Sequence, residues 1–182
     1  ESIAQFRDAA EYYARYGERF PQGEKAADAM YNAVLLRVTA GEWDEAIASA
    51  RAFLERFPRH ESVDDVTFFM GRAHEGAERW RDAANVYRDY TRRSRDGDRK
   101  VEAFLRLGMV LDRADQHDEA NAAYDEAVRL GKRNRRSLHE GLYYAAEARY
   151  RQGEAVIHEY ERIRIAGSMD GLRERLQQKS EL

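Results

Sequence analysis

The sequence predicts an all-α protein: a right-handed α-solenoid of helix-turn-helix repeats with a period of 37 residues, ending in one long helix and a short terminal helix. The 182 residues include only two prolines and are rich in Ala, Glu, Arg and Leu, a composition that favours helices. Apolar residues recur at helical spacing, without the alternation of a strand. Similar segments return along the chain, so that Ala46, Ala83 and Ala120 stand 37 positions apart. Helix pairs that recur in this way stack into solenoids.

The sequence is predicted to begin inside a repeat. The motif ERFP occurs at 18–21 and again at 55–58. Residues 1–21 are therefore predicted to form the second helix of a unit whose first helix is missing. We expect a fragment of a longer protein, in which 1–182 is one single solenoid.

The first complete repeat is predicted at 27–60. Its first helix, EKAADAMYNAVLLRVTA at 24–40, is apolar nearly all round, as expected for a helix that packs on two sides. Gly41 should end that helix, because glycine adopts the left-handed conformation of a helix C-terminus. The second helix should stop near Arg56, because Pro58 cannot continue the ladder of backbone hydrogen bonds.

Two further repeats are predicted at 64–97 and 101–132. Gly71 and Gly108 align in their first helices, and these glycines and the recurring alanines should let helix backbones approach closely. Large aromatic side chains at second-helix positions should fill the gaps between the helices. These are Trp43, Trp80, Tyr87 and Tyr124.

The C-terminal part departs from the repeat pattern. Residues 138–163 contain no proline and predict one long helix, with a further hairpin broken at Gly153 as the alternative. After a loop at 165–168, a terminal helix is predicted at 169–181, with Leu172 and Leu176 on one side. Such an apolar edge calls for a continuing neighbour.

The aligned positions resemble the tetratricopeptide repeat. With units starting at 27, 64 and 101, the eighth position gives Gly71 and Gly108 and the twenty-fourth gives Tyr87 and Tyr124. The seventeenth gives Trp43, Trp80 and His117, and the twentieth gives the three alanines. The first unit departs, with Val34 and Ala50 at the eighth and twenty-fourth positions.

Two narrower likenesses concern bacterial proteins. FLERFP at 53–58 is similar to endings in tetratricopeptide arrays of bacterial envelope proteins, such as outer-membrane assembly lipoproteins. The long helix at 138–163 resembles arrays of myxobacterial gliding-motility machinery. These likenesses imply the periplasm or cell envelope, with the cytoplasm as the alternative.

The resemblance implies a non-catalytic scaffold that binds a peptide or helix of a partner protein in a concave groove lined by first helices. Aromatic and arginine side chains in such a groove are the types enriched at binding hot spots. The expected groove residues are Tyr31, Asn32, Leu35, Phe69, Arg72, Arg106, Met109, Arg113 and Tyr143.

Other functions find little support in the residues. A net charge of −3 and a pI of about 6.0 do not indicate nucleic-acid binding. Each of the five histidines precedes an acid, but no H-E-x-x-H places two ligands on one helix face, so we expect no metal site. No nucleophile motif, phosphate-binding loop or cysteine occurs, so we expect no cofactor and no catalysis.

Two alternatives stay open. In the first, the chain is a structural spacer or self-stacking module that binds further repeats of its own kind through its ends. The other alternative is contact with anionic lipid or RNA through basic clusters at the ends of second helices. These clusters are Arg92, Arg93 and Arg95, and Lys132, Arg133, Arg135 and Arg136.

Overall fold

A computed structural model describes residues 2–95, 97–163 and 169–181, and these ranges contain helices and turns but no strand. The fold is therefore all-α, as predicted. The predicted loop at 165–168 lies outside the described residues. The described helices are α1 (Ser2–Arg19), α2 (Ala26–Ala40), α3 (Trp43–Arg56), α4 (Val63–Gly76), α5 (Trp80–Arg93), α6 (Gly97–Arg113), α7 (His117–Arg133), α8 (Gly141–Arg162) and α9 (Met169–Glu181).

The helices from α1 to α8 pack in chain order. Each contacts the next, and in addition the first helices contact one another, α2 with α4 and α6 with α8. This is the arrangement of an α-solenoid, in which first helices share one side and second helices the other. Buried apolar side chains form three clusters between the two layers, and Phe69 packs against all three.

Three identical turns join the two helices of each pair. Gly41, Glu78 and Asp115 adopt φ angles of 74°, 56° and 57°. The following residue donates its backbone N–H to a carbonyl in the last turn of the first helix, over 2.9 Å in each case: Glu42 to Arg37, Arg79 to His74 and Gln116 to Leu111. This left-handed closure fixes the angle at which each second helix returns.

Small residues bring the helices of each pair together, as the sequence predicts. Ala46, Ala83 and Ala120 are completely buried. A Cβ on Gly71 would lie 2.7 Å from the Tyr87 ring, so the ring occupies the space that a side chain on α4 would need.

Several helix ends follow local sequence. α2 ends before Gly41 and α3 ends at Arg56, as expected from Gly41 and Pro58. The chain turns after α7, where Ser137 donates its backbone N–H to the carbonyl of Asn134 over 2.9 Å. α8 begins at Gly141, whose backbone N–H donates to Asp98 of α6, and it runs through Gly153 as one helix.

Candidate partner-binding surface

The first helices place several predicted groove residues beside one another. The Tyr31 ring of α2 and the Phe69 ring of α4 lie 6.3 Å apart, tilted by 52°. The Arg99 guanidinium of α6 lies 5.9 Å from the Phe69 ring and forms a 3.2 Å ion pair with Asp65. Burial, and then the Asp65 carboxylate, raise the pKa of Tyr31, while Arg99 opposes this shift. Tyr31 and Phe69 therefore belong to one cluster across three first helices.

A ladder of charged groups continues along this face. Arg106 of α6 pairs with Glu75 of α4 over 3.2 Å and with Glu102 of its own helix over 2.8 Å. The Tyr87 hydroxyl donates to Glu75 over 2.8 Å. The Arg106 side chain is only 21% exposed. Two carboxylates hold the Arg106 guanidinium, which orders this face of the first helices. Its contact with a partner stays a prediction.

Beside this ladder lies a pocket of about 290 Å³, which we call the tryptophan pocket. Four of the predicted groove residues line it: Arg72, Arg106, Met109 and Arg113. Its other lining residues are Trp43, Glu75, Gly76, Trp80 and Val110.

Two arginines that line the tryptophan pocket have guanidinium groups that a ligand can reach. Arg113 lies 6.0 Å from the Trp80 ring in a cation–π arrangement. Arg72 and Arg113 are exposed, and neither forms an ion pair within the described part of the chain. An exposed guanidinium beside an indole can bind a carboxylate while the ring packs against an apolar group.

The remaining predicted groove residues lie away from this pocket. Asn32 and Leu35 are half-buried on α2 and do not line it. Tyr143 on α8 is 68% exposed and stacks edge-on against Tyr144 at 5.6 Å. Tyr144 lies beside the ladder, where burial and then the Glu102 carboxylate raise its pKa.

Sequence reasoning missed Trp43 and Trp80 as pocket residues. Both were assigned to packing, and Trp43 does pack, since a Cβ on Gly76 would lie 2.6 Å from its ring. Their position was the available signal. Each begins a second helix directly after the left-handed turn and reaches the end of the following first helix: Trp43 lies against Gly76 of α4, and Trp80 lies under Arg113 of α6.

A larger cleft of about 550 Å³ lies between α1, α2 and α3. Its lining consists of four alanines, four charged residues, Met30 and Ser49, and it includes none of the predicted groove residues. The described residues bring together no group of three or more His, Asp or Glu suited to a metal ion. None of the described helices combines the length and apolar character needed to cross a bilayer.

Paired helices with left-handed turns, buried alanines and a shared first-helix face define the class of tetratricopeptide-repeat scaffolds. The tetratricopeptide repeat family model matches residues 102–130. The model of the outer membrane lipoprotein family YfiO matches residues 2–113, and the chain belongs to this family. These matches support the likeness to envelope lipoproteins and give no support to the gliding-motility likeness. No curated protein matches the chain with significance.

Proposed function

We propose that this protein is a non-catalytic scaffold that binds a peptide or helix of a partner protein along its first helices, within an outer-membrane assembly. Membership of an outer membrane lipoprotein family supports the envelope setting. The repeat architecture supports binding, because a rigid stack of helices presents several anchors without paying to order them.

The tryptophan pocket is the observation that carries this proposal. Trp43 and Trp80 offer two indole walls, and tryptophan and arginine are the residue types most enriched at binding hot spots. The exposed guanidinium groups of Arg72 and Arg113 flank the opening. The partner segment should therefore insert an apolar or aromatic side chain that has acidic neighbours.

Site-specific photo-crosslinking in the native cell tests the proposal. A photoreactive residue replaces Arg72 or Arg113 on the pocket, or Arg51 or Arg81 as matched controls. The control arginines are exposed on second helices. Both pocket positions should crosslink to the same protein, and the control positions should not.

A charge reversal at the other pocket arginine sharpens this result. With the photoreactive residue at Arg72, Arg113→Glu should reduce the yield of crosslinked partner, because it sets a carboxylate against the acidic segment. Equal yields from pocket and control positions, or a yield unaffected by Arg113→Glu, would contradict groove binding.

A second candidate, self-stacking, is favoured by one specific observation on α8. Leu142, Tyr143, Tyr150, Ile157 and Tyr160 are large apolar residues that are all exposed on this helix. Their spacing places them on one side of α8, where a second helix would pack in a continuing solenoid.

Analytical ultracentrifugation of the chain and of its variant Tyr150→Glu/Ile157→Glu tests self-stacking. Association that grows with concentration and is lost in the variant supports stacking, whereas a monomer at all concentrations contradicts it.

A further inference from the structure

A patch of positive charge lies at one edge of the array. The second helices run parallel to one another, so the C-terminal ends of α5 and α7 meet at the same edge. α5 ends at Arg93 and α7 ends at Arg133. We call the exposed cations of this patch the basic edge: Arg92, Arg93, Arg95, Lys132, Arg133, Arg135 and Arg136.

Asp98 joins the two basic segments into one surface. Its Oδ1 accepts the backbone N–H of His139 over 2.9 Å and that of Gly141 over 2.8 Å. A Cβ on Gly97 would lie 3.1 Å from Leu138, which is buried. The start of α6 and the start of α8 are therefore in direct contact, and the cations on either side form one surface.

Most of these cations have no acidic partner among the described residues. Arg93 pairs with Asp89 over 2.9 Å. Over the described ranges, the other six cations of the basic edge form no ion pair and no side-chain hydrogen bond. Asp98 is occupied by the two backbone donors, and its carboxylate lies 3.8 Å from the His139 ring. Glu140, which is exposed, is the acid of the segment between α7 and α8.

Helix stability accounts for only some of these charges. Arg92, Lys132 and Arg133 lie in the last turn of their helices, where a cation opposes the partial negative charge of the C-terminus. Arg95, Arg135 and Arg136 lie beyond those ends. The effect of the helix dipole fades within one turn, so it does not explain them.

The basic character belongs to one end of this edge and not to the whole array. Residues 132–141, KRNRRSLHEG, hold four Lys or Arg and one acid. The corresponding segment two periods earlier, 58–67, PRHESVDDVT, holds one arginine and three acids. A general preference for arginine at helix ends would have produced similar balances in both.

We propose that the basic edge docks on an anionic phospholipid surface. Clusters of four to eight Lys and Arg are the typical signature of binding to anionic headgroups, and guanidinium groups bind phosphate through two parallel hydrogen bonds. RNA fits this surface less well, because residues 92–100 and 132–141 contain no Phe, Tyr or Trp on which bases could stack. The docking does not depend on the partner-binding groove, which lies on the first helices.

Co-sedimentation with vesicles tests this docking. The chain should bind vesicles of phosphatidylcholine with phosphatidylglycerol, bind poorly to phosphatidylcholine alone, and dissociate as salt is raised. Arg133→Glu/Arg135→Glu/Arg136→Glu should weaken partitioning on the order of 100-fold, since each cation contributes roughly fivefold. Arg19→Glu/Arg51→Glu/Arg59→Glu has the same change in net charge at exposed positions earlier in the chain and should bind nearly as the unmodified chain does.

Three results would overturn the proposal. The first is no binding of the unmodified chain to the anionic vesicles at low salt. The second is an equal loss in both triple variants, which would mean that net charge alone controls binding. The third is tight binding of a single-stranded RNA oligonucleotide at salt concentrations that release the vesicles. Circular dichroism spectra of both variants establish that each one is folded.

Discussion

The Tyr87 ring lies so close to Gly71 that a Cβ at that position would come within 2.7 Å of Cε1. Gly108 and Tyr124 repeat this relationship one unit later. In the first unit the sizes are exchanged: Val34 on the first helix and Ala50 on the second are both completely buried. The unit that departs from the tetratricopeptide pattern therefore offsets a smaller second-helix residue with a larger first-helix one.

The exchange predicts that each glycine can be enlarged only if its tyrosine is reduced. Gly71→Val should destabilise the fold by about 1–3 kcal/mol, because a buried tyrosine ring must move. Tyr87→Ala should cost about 3–5 kcal/mol through the cavity that it leaves. The double variant Gly71→Val/Tyr87→Ala copies the first unit and should be more stable than the sum of the two single effects indicates. Urea unfolding of the three variants measures this coupling, and strict additivity would contradict it.

The left-handed turns give a second prediction. Glu78 and Asp115 hold φ angles of 56° and 57°, a conformation that costs residues with a Cβ about 1–2 kcal/mol. Glu78→Gly and Asp115→Gly should each raise the free energy of unfolding by about 0.5–1 kcal/mol, the gain being reduced by the greater freedom of glycine in the unfolded chain.

Gly41 provides the opposite control for the turns. A Cβ at Gly41 would make only an ordinary 3.6 Å contact with Trp43, so the cost of Gly41→Ala comes from its φ of 74°. This variant should lower the free energy of unfolding by about 1 kcal/mol. If Glu78→Gly and Gly41→Ala shift the thermal midpoint in the same direction, backbone strain is not the cause.

The fold can be predicted from the sequence because most of the features that determine it are local. The turn at Gly41, the helix stop before Pro58 and the buried alanines all follow from rules that apply to a few neighbouring residues. The start of α8 does not, because it depends on Asp98, which lies more than 40 positions earlier in the chain and accepts the N–H of Gly141.

The candidate site is predicted less completely, for a related reason. The resemblance identifies the first-helix face, and four of its expected residues do line the tryptophan pocket. It cannot show that Arg106 is held by Glu75 and Glu102, since those pairs depend on side-chain geometry between repeats. Sequence reasoning also assigned Trp43 and Trp80 to packing alone, whereas both residues line the pocket as well.

The buried tyrosines predict loss of stability in alkali. Burial, together with the carboxylates of Glu75 and Asp112, raises the pKa of Tyr87 and Tyr124 above the usual 10.0. Their contribution to folding is complete below pH 10 and is lost as pH rises, because the unfolded tyrosines ionise while the folded ones stay protonated. Tyr124→Phe should cost about 1 kcal/mol at neutral pH, where it removes a 2.7 Å hydrogen bond to Asp112, and should flatten the decline above pH 10.

Tyr12 supplies the comparison for the alkaline experiment. Its side chain is exposed on α1, so Tyr12→Phe should leave the slope of unfolding free energy against pH unchanged. Urea unfolding at a series of pH values around and above 10 gives both slopes. A Tyr124→Phe variant that declines as steeply as the unmodified chain would show that other groups cause the alkaline loss.

His74 predicts a complementary weakness in acid. It is 3% exposed, and its Nδ1 atom is buried without a hydrogen bond to any described residue, 4.0 Å from Asp82. Burial lowers its pKa below the usual 6.5 despite the opposing effect of Asp82. The unfolded chain therefore binds a proton first, and stability present above pH 6.5 falls as pH drops, by up to about 1.4 kcal/mol per pH unit.

One repeat after His74, Leu111 occupies the equivalent position and is buried. His74→Leu should thus be tolerated at neutral pH and should flatten the decline of stability below pH 6.5. His139→Gln changes a histidine on an exposed loop and should leave that decline unchanged. Urea unfolding between pH 5 and pH 7.5 separates the two, and an unchanged slope in His74→Leu would assign the acid sensitivity to other groups.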